Sequence, residues 1–272
     1  MILITGGTGT TGRLIARELA HRGRRVRTAA RGAGADIPFD WYDPKTHLPA
    51  LRGTRALYVV APTGLLDPSP VVLPFLELAR RSGVHRAVLL GSSAVPAGEH
   101  GLGLVQTCLG DIFSEWAVLR PSWFMENFVG NHPHARNIRE RGEIVSATGN
   151  GRVGFIDPLD IAETAVRALT DPVPHNTDHV LTGPESLSYD DVAAVLCEVG
   201  GRPVRHRAVG EGELVGLLEM AGMPGGYARF LAALDVGIAQ GAEDRTTPVV
   251  QEVTGRPPRA FREFCRGRFP GQ

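Results

Sequence analysis

The tripeptide Ile2-Leu3-Ile4 runs straight into Thr5-Gly6-Gly7-Thr8-Gly9-Thr10-Thr11-Gly12, and no other stretch of this chain limits its fold so strongly. A short apolar run without polar alternation suits a strand covered on both faces, as in a parallel sheet. The glycines after it demand a tight turn with exposed backbone. Leu14, Ile15 and Leu19 then mark the inner stripe of a helix over 11–22, which Gly23 stops, and 25–31 reads as a second strand. Strand, glycines, helix and strand in this order form the context in which a dinucleotide fingerprint works. Glycine lets the backbone approach a pyrophosphate, and the helix N-terminus offers N–H donors and a positive dipole end. Gly6, Thr8, Gly9, Thr10, Thr11 and Gly12 are the expected cofactor contacts.

Strand and helix signals keep alternating downstream. Strands are expected at 56–60, 87–90 and 116–119, and helices at 71–82, with Pro74 in its first turn, and at 104–114. This is the pattern of an α/β protein with a Rossmann-type, doubly wound parallel sheet. In such sheets ligands lie beyond the carboxyl ends of the strands. Ala61, Pro62, Gly91, Ser92, Pro121 and Trp123 occupy those ends and join the expected cofactor contacts. Cofactor choice is read at the end of the second strand, where NAD sites place a carboxylate and NADP sites accommodate an arginine. That strand ends in Arg31, the next acid is Asp36, and Arg13 follows the last glycine. NADP(H) is favoured, NAD(H) stays open, and neither flavin nor metal is expected.

The texture changes after Ser122. The division is expected to be a binding core at 1–122 and a small α+β substrate lobe at 123–272 without an independent core, with 156–171 packing back on the first part. Asp157-Pro158 starts a helix with an N-cap and a proline at its first position, and Ser188 caps another. A strand at 204–209, two helices around Gly222-Met223-Pro224 and a last helix near 259–266 complete the reading.

Charge and cysteine use exclude several classes of function. The 272 residues carry 29 basic and 29 acidic side chains, so the chain lacks the basic excess that phosphate-backbone binding needs. Nucleic acid and membrane surfaces are therefore not expected partners. The three cysteines form no metal-ligand or redox pattern. His132-Pro133-His134 lacks supporting ligands, and Ser92-Ser93 lies outside any nucleophile-elbow context. No leader-like segment precedes the first strand, and a cytoplasmic protein is expected.

Taken together, Ile4-Thr5-Gly6-Gly7-Thr8-Gly9-Thr10-Thr11-Gly12-Arg13, Gly83-Val84-His85-Arg86-Ala87-Val88-Leu89-Leu90 and Leu119-Arg120-Pro121-Ser122-Trp123-Phe124-Met125-Glu126-Asn127-Phe128 resemble the NmrA-like group of atypical short-chain dehydrogenases/reductases. Phe155-Ile156-Asp157-Pro158-Leu159-Asp160-Ile161-Ala162, Leu181-Thr182-Gly183-Pro184-Glu185 and Thr254-Gly255-Arg256-Pro257-Pro258 extend the likeness over nearly the whole chain. The resemblance implies an NAD(P)-binding core with a small C-terminal substrate lobe. Its members include quinone reductases, reductases of alkaloid and polyketide pathways, and redox sensors without catalysis.

One feature departs from the wider superfamily, whose Tyr-x-x-x-Lys pair protonates a carbonyl oxygen. The tyrosines are Tyr42, Tyr58, Tyr189 and Tyr227, none with a lysine four residues on, and Lys45 is the only lysine. The two positions align near Leu102 and Gln106, whereas the superfamily's serine survives as Ser93. A simple ketone would build up an alkoxide in such a site. A quinone yields a hydroquinone anion of modest basicity, and an iminium needs no proton before attack. The residues thus point to hydride transfer from NADPH to a small aromatic quinone or conjugated acceptor. A hydroquinone so formed could feed an oxygenation in secondary metabolism. The alternative is a redox sensor that binds the dinucleotide and a partner protein. Ser93 and Asn127 are the candidate catalytic hydrogen-bond donors, and Trp123, Phe124 and Phe155 the candidate walls for a flat substrate.

Overall fold

The computed structural model describes residues 1–268. The first strands are β1 (Ile2–Thr5), β2 (Val26–Ala30), β3 (Ile37–Pro38), β4 (Ala56–Val60), β5 (Arg86–Leu90) and β6 (Glu115–Pro121). Between them lie α1 (Thr10–His21), α2 (His47–Leu51), α3 (Ser69–Arg81) and α4 (Gly101–Ile112). Next come α5 (Pro133–Arg141), β7 (Glu143–Ser146), β8 (Arg152–Val153), α6 (Pro158–Thr170), β9 (Thr177–Leu181) and β10 (Leu187–Ser188). The chain continues through α7 (Tyr189–Gly200), β11 (Arg205–Ala208), α8 (Glu211–Met220), α9 (Gly225–Ala239), α10 (Val249–Thr254) and α11 (Phe261–Arg266).

These elements sort into two compact units. The first comprises Met1–Pro121 and Pro158–Val180, and the second Ser122–Asp157 and Leu181–Gln272. The first unit is organised by a seven-stranded sheet of order β3-β2-β1-β4-β5-β6-β9, a Rossmann-type α/β arrangement. The paired registers from β3 to β6 are all parallel, with Ile2 opposite both Val26 and Ala56. Chain order reverses between β1 and β4, the switch point where such sheets bind ligands. Leu3, Leu57, Ala87 and Leu89 are fully buried, as strands covered on both faces require.

Each helix buries the stripe its sequence spaces for it. Ile15 and Leu19 turn inward from α1, and Val72, Phe75, Leu76 and Ala79 from α3. The start of α3 differs from expectation. Asp67 Oδ1 accepts from the Ser69 amide and hydroxyl, so the helix begins at Ser69 and Pro74 falls in its second turn instead of its first.

The second unit corrects one expectation from the sequence, since it has an apolar core of its own. Met125, Phe128, Ile138, Ile144, Val153, Phe155, Val192, Leu196, Phe261 and Phe264 are all buried in one cluster. Phe128 lies edge-on to Phe155 at 5.2 Å, to Phe261 at 5.7 Å and to Tyr189 at 5.8 Å between ring centroids. Around this core β7 pairs with β11 in parallel and β8 with β10 antiparallel. A reciprocal capping box between Ser188 and Asp191 opens α7. Among the described residues no helix is long and apolar enough to cross a membrane.

Candidate functional site

The loop from β1 to α1 is shaped by its glycines. Gly6 has φ +61°, a left-handed conformation that side chains other than glycine rarely adopt. A Cβ on Gly12 would lie 2.3 Å from the Gly6 carbonyl oxygen, and one on Gly7 2.6 Å from the Thr28 Cβ. Those two glycines press α1 against β1 and β2. A Cβ on Gly9 would meet only the Gly6 carbonyl, at 3.1 Å, and otherwise faces open space. Gly9 is also the N-cap of α1 and provides no side-chain cap, so the first-turn amides of Thr10, Thr11 and Gly12 keep their donors for another acceptor. The fit to a pyrophosphate is close: small backbone, outward donors and a positive dipole end.

Side chains at the switch point stiffen this cradle. The Thr5 hydroxyl donates to the Tyr58 carbonyl at 3.2 Å and accepts from the Val60 amide at 2.8 Å, stapling β1 to β4. The Tyr58 hydroxyl donates to Thr11 Oγ1 at 3.2 Å, and burial pushes its pKa up. The Tyr58 hydroxyl is thus spent on Thr11, and Tyr58 is no proton donor to a ligand. Arg13 and Arg31 are exposed, and neither has an ion-pair partner among the described residues. Asp36 is tied down instead. Its carboxylate accepts from the Thr28 amide at 2.8 Å and hydroxyl at 2.9 Å, which holds its pKa below the ordinary value.

At the other strand ends, Ala61 and Pro62 are half-buried directly after β4. The Gly91 amide donates to Leu119 at 2.7 Å, and the Ser92 hydroxyl accepts from the Ala94 amide at 3.3 Å. Ser93 is buried, with its amide donating to the Pro121 carbonyl at 3.0 Å.

The second unit holds a half-open chamber of about 710 Å³. Leu214, Leu217 and Leu218 of α8 and Leu231 and Leu234 of α9 form its apolar wall, with Trp123 and Asn127 at another side. Asn127 lies in the 3-10 turn Met125–Phe128, its backbone N–H donating to the Phe124 carbonyl at 3.1 Å. Asp235 also lines the chamber and accepts from the Ala147 amide at 2.9 Å. Burial pushes the Asp235 carboxyl up to about 6. His132 and His134 are desolvated and held neutral, pushed down to about 4 and about 3. His132 Nδ1 accepts from the His134 amide at 3.2 Å and so caps α5, while His134 stacks on Phe128. Among the described residues no three metal-ligating side chains converge.

No protein-family model matches the chain. Whole-chain comparisons do. An uncharacterized oxidoreductase of Bacillus subtilis, YesF, is 47% identical over 269 residues, spanning 97% of this chain and 93% of that one. The agroclavine dehydrogenase of Claviceps fusiformis is 40% identical, spanning 97% and 95%. An Escherichia coli NADPH-dependent quinone oxidoreductase, crystallised with NADPH, superimposes with a TM-score of 0.82 at 22% identity, covering 98% of this chain and 99% of that one. The chain belongs to the NmrA-like atypical short-chain dehydrogenases/reductases. It is an oxidoreductase.

Within this NmrA-like framework the two positions read as those of the superfamily's Tyr and Lys sit one turn apart on α4. Leu102 packs against the apolar core, and the Gln106 amide donates to the Val95 carbonyl at 3.0 Å. Neither is an acid. One of the expected substrate walls needs correction. Phe155 is 1% exposed, its ring packed into the second unit's core. Phe124 is half-buried and its backbone bridges to Ile156. Sequence reading missed Asp235 and the α8–α9 leucines. A signal was there: Asp235 is the lone charge in the apolar run Phe230-Leu231-Ala232-Ala233-Leu234-Asp235-Val236-Gly237-Ile238-Ala239.

Proposed function

We propose that the chain is an NADPH-dependent reductase that passes hydride to a small aromatic quinone or related conjugated acceptor, and so supplies a hydroquinone for oxygenation in secondary metabolism. The observation that carries this reading is a dinucleotide cradle flanked by two unpaired arginines, in a chain whose only acid near the second strand is bound to Thr28. Gly6, Thr8, Gly9, Thr10, Thr11 and Gly12 would hold the pyrophosphate, and Arg13 and Arg31 the 2′-phosphate. Ala61, Pro62, Gly91, Ser92, Pro121 and Trp123 would border the rest of the nucleotide. Bound there, NADPH supplies a hydride.

Support for the acceptor class comes from what the chain lacks. General acid catalysis contributes about 10²–10⁴-fold, and an acceptor whose product anion is weakly basic can do without it. A chamber with leucine walls and an indole suits a flat conjugated ring. Ser93 and Asn127 are the proposed donors to the acceptor, and Trp123 its proposed stacking wall.

The test is NADPH consumption by the purified protein with a panel of quinones, iminium salts and simple ketones, with and without oxygen. Turnover of quinones or iminium salts, and none of ketones, is expected. Tight NADPH binding with no turnover of any acceptor overturns the reading in favour of a redox sensor acting through a partner protein.

A further inference from the structure

We propose that Asp235 sets the specificity of the second unit's chamber, selecting conjugated acceptors that carry positive charge, such as an iminium, over neutral ones of the same shape. The inference rests on the reductase reading above and, within its conjugated acceptors, favours the cationic members over neutral quinones.

Asp235 stands one residue after Leu234 on α9, in a wall shared with Leu231 and the α8 leucines. Its one hydrogen-bond partner among the described residues is the Ala147 amide, and no arginine or lysine pairs with it. Asp235 is half-buried, and a carboxylate so placed with one backbone donor is only partly compensated. The raised pKa has the same cause. Tyr189 lies close enough for the Asp235 charge, with burial, to raise its pKa, but among the described residues no hydrogen bond joins the phenol to the carboxylate.

The other charges around the chamber are spent or exposed. Arg207 pairs with Glu213 at 2.7 Å, and Glu143 is held by Arg205. Arg136 and Arg141 are exposed, where water and salt weaken their fields. His132 and His134 are neutral. Among the half-buried lining residues Asp235 is therefore the one charge without an ion-pair partner, and it is negative. A cation delocalised over a flat ring matches a carboxylate, leucine walls and the indole of Trp123 together, since the indole face itself attracts positive charge. A neutral ring of the same shape fills the same volume, strips more water from the carboxylate and returns nothing to it. That difference in compensation is what discriminates between ligands.

The experiment is calorimetric titration of the full-length protein, without NADPH, using two probes of one shape: N-methylquinolinium and methylnaphthalene. The wild type is expected to bind the cation about tenfold or more tightly than the hydrocarbon. Asp235→Asn keeps an acceptor for the Ala147 amide but removes the charge, and it should bring the ratio to about one by weakening the cation alone. Asp235→Glu should retain the preference. Equal affinity of the wild type for both probes overturns the proposal without relying on any variant, and so does a preference that survives in a folded Asp235→Asn. NADPH consumption with a quinone is measured beside these titrations. Turnover without charge preference overturns the assignment of Asp235 and leaves the reductase reading intact. Asp235-dependent cation binding with no turnover of any acceptor overturns the reductase reading and leaves the assignment standing.

Discussion

Gly12 is the position where a single atom matters most. An added Cβ would sit 2.3 Å from the Gly6 carbonyl, so backbone must move at the junction of β1 and α1. Gly12→Ala is expected to cost about 1–3 kcal/mol in thermal unfolding, and to weaken NADPH binding through the displaced amides. Arg31 makes the opposite kind of prediction, because its guanidinium supports nothing in the fold. Arg31→Ala should leave unfolding unchanged and raise the dissociation constant for NADPH about tenfold, with little effect on NADH, as read by titration of each nucleotide. The cradle was legible in the sequence because its constraints are backbone constraints: a left-handed turn and two close approaches require glycine whatever surrounds them. Asp235 and Phe155 were not legible in that way. An acid or a phenylalanine takes its meaning from its neighbours, and those of Asp235 come from segments as distant as Ala147 and Leu214. Within the aromatic run 123–128, Trp123 lines the chamber, while the 3-10 turn carries Phe128 into the core.

Whole elements tell a similar story. The parallel strands and their helices follow from apolar runs and helical spacing, and the structure moves their ends by only a few residues. What was missed is short or polar. β3 has two residues, and α5 buries just Ala135 and Ile138 along a stretch rich in arginine, too thin a stripe to stand out. Caps were the more dependable signal. Ser188, read as a helix start, forms both halves of a capping box with Asp191. Ser188→Ala should therefore cost about 1 kcal/mol in chemical denaturation, whereas Ser188→Asp should recover most of it.

For the molecule as a whole, half-buried imidazoles set the response to acid. His132, His134 and His179 are held at about 4, 3 and 4, against an ordinary 6.5, by desolvation. Their folded form is neutral, so the stability they contribute is full above 6.5 and drains away as pH falls below it. The loss is roughly 1.4 kcal/mol per pH unit for each group until its folded value is reached. Asp235 runs the other way, since a raised carboxyl contributes fully below 3.8 and loses that contribution as pH rises through about 6. Three groups outweigh one, and the unfolding temperature should fall steadily from pH 7 to pH 5. His134→Phe should flatten that slope, which thermal scans across the range would show. The unit boundaries carry a last consequence, for how the chain comes into being. Ile15 and Leu19 of α1 are fully buried in a unit that draws α6 and β9 from beyond the segment 122–157. A ribosome must therefore release the whole second stretch of chain before the first sheet gains its final helix and edge strand. Residues 1–121 expressed alone would be an unfinished sheet with its inner faces wet, prey for chaperones and proteases, and not a transplantable nucleotide-binding module.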